Sequence, residues 1–97
     1  MASLIAMLKA DNLAARAKPF DLRAGRAIVS EGGVALTLLE QARATATVGG
    51  VASAAQRRSV ELSNDGDILR WRCTCTRKAD HFCKHCVAAA AALIELG

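Results

Sequence analysis

The side chains with the greatest capacity for chemistry are crowded near the C-terminal end of this chain. Cys73-Thr74-Cys75 is followed, seven residues later, by Cys83-Lys84-His85-Cys86. All four cysteines fall within fourteen residues, and both histidines, His81 and His85, lie among them. Three sulfurs and one imidazole match the ligands of a closed, tetrahedral, structural zinc site. Mixed Cys/His ligation at a small structural site favours zinc over iron. Six side chains compete for four positions. Spacing alone does not choose between His85 and Cys86, because Cys83 and Cys86 lie three apart and share a helix face, which would give a four-cysteine site. Taken singly, His81 reads as a solvent-exposed loop residue. Cys86, beside Val87 at a core-facing position, reads as apolar filler.

The elements that must position these ligands can be read around them. Cys73 and Cys75 end an alternating pattern, and residues two apart on a strand point to the same side. Cys83 and His85 stand where a helix begins, and the unpaired N–H groups of a first helical turn stabilise thiolate. The intervening loop is long enough to fold back and join the two pairs. The helix covers residues 84–96, carried by the five consecutive alanines Ala88 to Ala92.

Upstream, apolar residues alternate in four runs. They are Val34/Leu36/Leu38, Ala44/Ala46/Val48, Val60/Leu62 and Leu69/Trp71/Cys73. These predict four mostly antiparallel strands with one apolar and one wet face. Asn64-Asp65-Gly66 is the expected turn between the last two, and Gly49-Gly50 breaks the chain before a looser stretch. Residues 2–17 read as a helix ended by Pro19. In residues 20–33, Ile28 and Val29 favour a strand, but the stretch fits better a short helix with Asp21 as its N-cap and Gly32-Gly33 as its close. The expected fold is α+β: a small antiparallel sheet of about four strands, an N-terminal helix or helices, and a C-terminal helix packed on a structural zinc site. One domain spans residues 1–97, as a helical lead-in (1–33), a meander (34–72) and a finger with its closing helix (73–97).

Composition points the same way. The chain has 97 residues, of which 53% are hydrophobic, but 21 of those are alanine and three are aromatic. Alanine adds little burial, so such a core needs a metal or a partner chain to supplement it. No apolar run approaches the roughly 20 residues of a membrane-spanning helix. No basic stretch with a cleavage site marks a signal peptide. The expectation is a cytoplasmic, reducing compartment, where clustered cysteines hold metal rather than disulfides. No phosphate-cradling glycine loop, nucleophile triad or carboxylate pair stands out, and four protein ligands leave a metal no open position. No enzyme and no small-molecule substrate are expected.

The motif resembles the SWIM zinc finger, whose signature is C-x-C, a variable loop, then C-x-H. Here it reads Cys73-Thr74-Cys75 and Cys83-Lys84-His85, continued by Cys86-Val87-Ala88. The core resemblance covers residues 58–93. Gly25, Gly32 and Val34 extend it toward a pattern found in bacterial SWIM proteins, where a short helix and a meander precede the finger. The resemblance implies one structural zinc on Cys73, Cys75, Cys83 and His85, and so favours His85 over Cys86. It also implies binding to DNA or to other proteins.

The formal charge is +4, which permits an acidic partner without establishing one. Arg70, Arg72, Arg77, Lys78 and Lys84 cluster around the ligands, with Asp80 opposing them. Two readings follow: contact with DNA or RNA phosphates, or docking to a protein partner or a larger parent protein. Trp71 has the chemistry to stack on a base, but its alternation with Leu69 and Cys73 places it in the core.

Overall fold

The computed structural model describes residues 3–10, 17–49, 57–66, 68–74 and 82–96. In chain order the elements are α1 (Leu4–Ala10), α2 (Pro19–Ser30), β1 (Val34–Leu39), β2 (Arg43–Val48), β3 (Arg58–Asp65), β4 (Ile68–Cys73) and α3 (Lys84–Leu96). The architecture is α+β, as the alternation predicted.

The four strands form one sheet in the order β1-β2-β3-β4, every neighbouring pair antiparallel. The register aligns inward residues across it. Ala44 pairs with Leu62, which pairs with Trp71, and Ala46 pairs with Val60, which pairs with Cys73. Ala44, Ala46, Val48, Val60, Leu62 and Leu69 are buried on this face. The threonines and serines between them face outward, where the hydroxyls of Thr37 and Thr45 meet at 2.7 Å. The register shifts between Leu36 and Leu38. Val34 and Leu36, before the shift, lean on the core while Thr37 stays exposed. Asp65 pairs with Ile68, which moves the hairpin turn one residue past the expected place. Gly66, at φ +59°, supplies the left-handed backbone that the turn needs.

Among the described helices, α1 and α3 pack on the apolar face of the sheet and α2 packs against α3. Leu4 and Leu8 of α1 are fully buried, and the Leu4 N–H donates to the Gln41 carbonyl at 2.7 Å, tying α1 to the β1–β2 turn. Residues 11–16, over which the expected first helix would continue toward Pro19, lie outside the described residues; what is seen is the role of Pro19 on its other side. Pro19 is the first residue of α2, where its fixed φ suits a helix start and its missing N–H costs nothing. Lys18 therefore takes the N-cap position with no side-chain cap. Asp21 lies in the first turn, a buried carboxylate near the positive helix end. The far end closes as expected. The Gly32 N–H donates to Val29 and the Gly33 N–H to Ile28, with Gly32 at φ +73°.

Helix α3 is buried almost all round through Cys86, Val87, Ala88, Ala89, Ala90 and Leu93. Its alanines let it lie close to its neighbours. The tightest approach is to α2 at Gly25, where an added Cβ would stand 2.7 Å from the Val87 side chain and 2.8 Å from the Lys84 carbonyl. Each buried leucine adds about 1.5–3 kcal/mol of hydrophobic stabilisation, and each buried methyl group well under half as much. Three of the seventeen buried apolar residues are in consecutive α3 alanine positions, and three more are Ala17, Ala44 and Ala46. The core is thin as well as buried.

Candidate metal centre

Cys73 is the last residue of β4, on the inward side of the sheet. Two hydrogen bonds hold the strand just beyond it. The Thr74 N–H donates to the Ser59 carbonyl at 3.1 Å, and the Ser59 N–H donates to Thr74 Oγ1 at 2.9 Å. Cys83 precedes α3, and its carbonyl accepts the first helical bond from the Val87 N–H at 3.0 Å. His85 is the second residue of the helix.

A ring contact brings the two segments together. Trp71, two residues before Cys73, meets Phe82, the residue before Cys83, edge-to-face at 5.2 Å with 83° between the rings. Phe82 is the largest of the fully buried side chains and Trp71 is half-buried. Trp71 is thus in the core rather than displayed to a base. The importance of Phe82 went unseen in the sequence, where the signal was an aromatic residue adjoining Cys83.

The ligand atoms of Cys73, Cys83 and His85 all lie within 4.8 Å of one another. Cys83 is buried, and the other two are half-buried. Metal–sulfur bonds of about 2.3 Å and metal–nitrogen bonds of about 2.0 Å make tetrahedral S···S edges of about 3.8 Å and S···N edges of about 3.6 Å. Cys83 Sγ stands 3.7 Å from His85 Nδ1. Two sulfurs and one imidazole at such spacing fit a thiophilic or borderline cation and suit calcium or magnesium poorly. No disulfide joins Cys73, Cys83 or Cys86. The fourth expected ligand, Cys75, lies outside the described residues, as do His81, Arg77 and Lys78.

Cys86 is buried in the core, as expected, and it also meets Cys83. Its sulfur is fully buried and 3.8 Å from that of Cys83. Hydrogen bonds from Cys73 and then Cys86 hold the Cys83 thiol far below its ordinary range, against the opposing effect of burial. Cys86 is pushed far above the ordinary range by its hydrogen bonds to Cys73 and Cys83 and by burial. The two shifts run in opposite directions, favouring a thiolate at Cys83 over one at Cys86. A thiolate is the form in which cysteine binds metal.

The basic residues are distributed over two layers. Arg70 and Arg72 project from the outer face of the sheet, and Arg70 Nε is paired with Asp65 at 2.7 Å. Lys84 opens α3, which packs on the inner face. Arg72 and Lys84 make no ion pair among the described residues. No described helix is long and apolar enough to cross a membrane.

No protein-family model matches the chain, and no curated protein or solved structure is similar to it.

Proposed function

We propose that this chain is a SWIM-type zinc-binding interaction module of a reducing, cytoplasmic setting. The observation that carries the proposal is the convergence of Cys73, Cys83 and His85 from a strand end and a helix start. The family resemblance adds Cys75, two residues after Cys73 in sequence, as the fourth ligand. Zinc there supplies a structural cross-link between β4 and α3, with no open position for chemistry. The chain's own residues prepare the site. Trp71 and Phe82 hold the two segments together, and the Cys83 thiolate offers a charged ligand.

In the favoured reading the surface partner is DNA. Arg72 and Lys84 are available for phosphate contact, and Arg77 and Lys78 fall between the ligand pairs in the sequence. Phosphate contacts of this kind are sequence-independent and salt-dependent. The second reading, a protein-docking module, rests on the engagement of Arg70 by Asp65 and the separation of Arg72 and Lys84 onto different layers.

Metal analysis with native mass spectrometry tests the first claim: one zinc per chain is expected, and none overturns it. Fluorescence anisotropy with a labelled DNA duplex tests the second. About four phosphate contacts would cut affinity roughly a hundredfold for a fourfold rise in salt. Replacing Arg77 and Lys78 by alanine should weaken binding without releasing zinc. A zinc-loaded chain that binds no DNA at low salt would leave the protein-docking reading.

A further inference from the structure

Beside the close contact of Gly25 with Val87, helices α2 and α3 border a groove of about 350 Å³. Buried Val87 forms its floor, and half-buried Leu22, Val29, Ala91 and Ile94 form its walls. Ala91 follows Val87 by one helical turn, and its single methyl leaves open a space that a larger side chain would fill. The rim is polar and exposed. Arg26 and Ser30, one turn apart, supply it from α2, and Glu95 supplies it from α3.

The rim charges are opposite, yet they do not pair. Among the described residues, Arg26 and Glu95 stand in no ion pair with each other or with any other group. Exposed opposite charges do close on each other elsewhere, as Arg43 does with Glu40 at 3.2 Å and Arg70 with Asp65 at 2.7 Å. The groove therefore offers an aliphatic interior with a guanidinium on one bank and a carboxylate on the other. Its volume is at the small end of the range for ligand sites, about 300–1,000 Å³. A docked helix sets its anchors over two or more turns and needs a longer trough, so the size suits a metabolite.

We propose that this groove binds a small zwitterion with a branched aliphatic side chain, an amino acid of the leucine, isoleucine or valine type. The side chain lies on Val87 between the two helix walls, where its burial drives binding. The ligand carboxylate accepts hydrogen bonds from the Arg26 guanidinium, whose planar fork matches it. The ligand ammonium donates to the Glu95 carboxylate, and Ser30 offers a hydroxyl beside Arg26. An aliphatic acid leaves Glu95 unanswered and brings a like charge toward it. An aliphatic amine does the same to Arg26, so a ligand carrying both charges is preferred to either. With the charged rim exposed to water, affinity is expected in the millimolar range. The proposal requires neither the metal centre nor DNA binding.

The test uses the full chain, isotope-labelled for amide chemical-shift titration, with free amino acids and their analogues as probes. Leucine, isoleucine or valine should shift the amides of α2 and of the C-terminal half of α3. No binding by any of the three overturns the proposal. Isocaproate and isoamylamine, which keep leucine's aliphatic chain and lose one charge each, should bind about three- to tenfold more weakly than leucine. Glycine has the same metal-chelating head group and should leave these amides unmoved. A glycine effect equal to that of leucine would mark metal chelation and overturn the groove. Arg26→Gln and Glu95→Gln, both at exposed positions, should each weaken leucine by about three- to tenfold. E95Q should also bring isocaproate closer to leucine in affinity, and R26Q should do so for isoamylamine. Leucine affinity unchanged in both variants would reduce the site to apolar contact and overturn the zwitterion assignment. If either variant does not fold, the wild-type comparison decides: leucine binding no tighter than both analogues sinks the proposal, and tighter binding upholds it.

Discussion

Helices α2 and α3 lie against each other and are built on opposite principles. Everything that starts and stops α2 is local. Pro19 sets the first φ, Asp21 meets the positive end, and Gly32 and Gly33 return N–H groups to the final carbonyls. The start of α3 has no acidic residue in its first turn. It is held instead by distant groups: Trp71 from β4 against Phe82, and Cys73 from the strand end against Cys83. A helix with local stops can form early and cheaply. One whose origin depends on contacts across the chain depends on whatever holds those contacts. In this chain those contacts bring together the Cys73, Cys83 and His85 group, so on the proposed reading the place where α3 begins is also the place where a cation would bind.

Metal removal is the strongest way to break the comparison. A structural zinc contributes about 10–16 kcal/mol of apparent binding free energy, as large as the roughly 5–15 kcal/mol that stabilises a typical domain. With so much of the core made of alanine, a strong chelator should abolish the cooperative thermal transition and reduce helical circular dichroism. A spectrum and melting curve unchanged after verified metal removal would show that α3 is as self-sufficient as α2. Phe82→Ala comes next. Loss of a buried phenyl ring costs about 3–5 kcal/mol, and it should weaken zinc as well, because the ring fixes the approach of Cys83 to Cys73. Denaturant unfolding of the zinc-loaded protein gives the first quantity and competition with a chromophoric chelator the second. An F82A protein that is less stable but binds zinc with wild-type affinity would reduce the ring to packing alone.

The same contrast explains what could be read from the sequence. Features set by neighbouring residues were legible. The alternation of apolar residues placed all four strands, Gly32-Gly33 closed α2, and the alanine run bounded α3. The grouping of Cys73, Cys83 and His85 was legible in part, because metal chemistry demands those side-chain types at short spacing, but spacing alone left His85 and Cys86 open and the family resemblance made that choice. Features set by approach in space were not. Nothing around Phe82 marks it as the partner of Trp71, eleven residues away. Gly25 gives no local sign that Val87 and the Lys84 carbonyl will press against its Cα. Pro19 was ambiguous in kind, since the same locked φ that ends one helix can begin another. The burial of Cys86 was expected, but its contact with Cys83 depends on both sulfurs turning toward the same point, which spacing permits without requiring.

Two glycine substitutions sharpen the comparison at smaller scale. Gly25→Ala gains up to about 1 kcal/mol of intrinsic helix propensity. Against that, the new methyl collides with Lys84 backbone as well as the Val87 side chain. Backbone cannot rotate away, so α2 and α3 must separate, at a cost of about 1–3 kcal/mol. Because Lys84 follows Cys83 directly, the displacement should reach the ligands and weaken zinc modestly. A G25A protein that is more stable than wild type would mean that the helices can slide apart freely.

Gly32→Ala should be the mildest change and the cleanest control. Nothing lies within 4 Å of the added methyl, so packing is untouched. The whole effect comes from placing a side chain at φ +73°, which costs about 1–2 kcal/mol. For a domain of this size each 1 kcal/mol lowers Tm by about 4–8 °C. Since α2 ends by local hydrogen bonds, the loss should be the same with and without excess zinc, and zinc affinity should not move. Melting curves recorded at several zinc concentrations check this. A G32A penalty that grows as zinc is withdrawn would mean that the closing turn of α2 is coupled to the metal centre, and that the two helices do not begin and end independently after all.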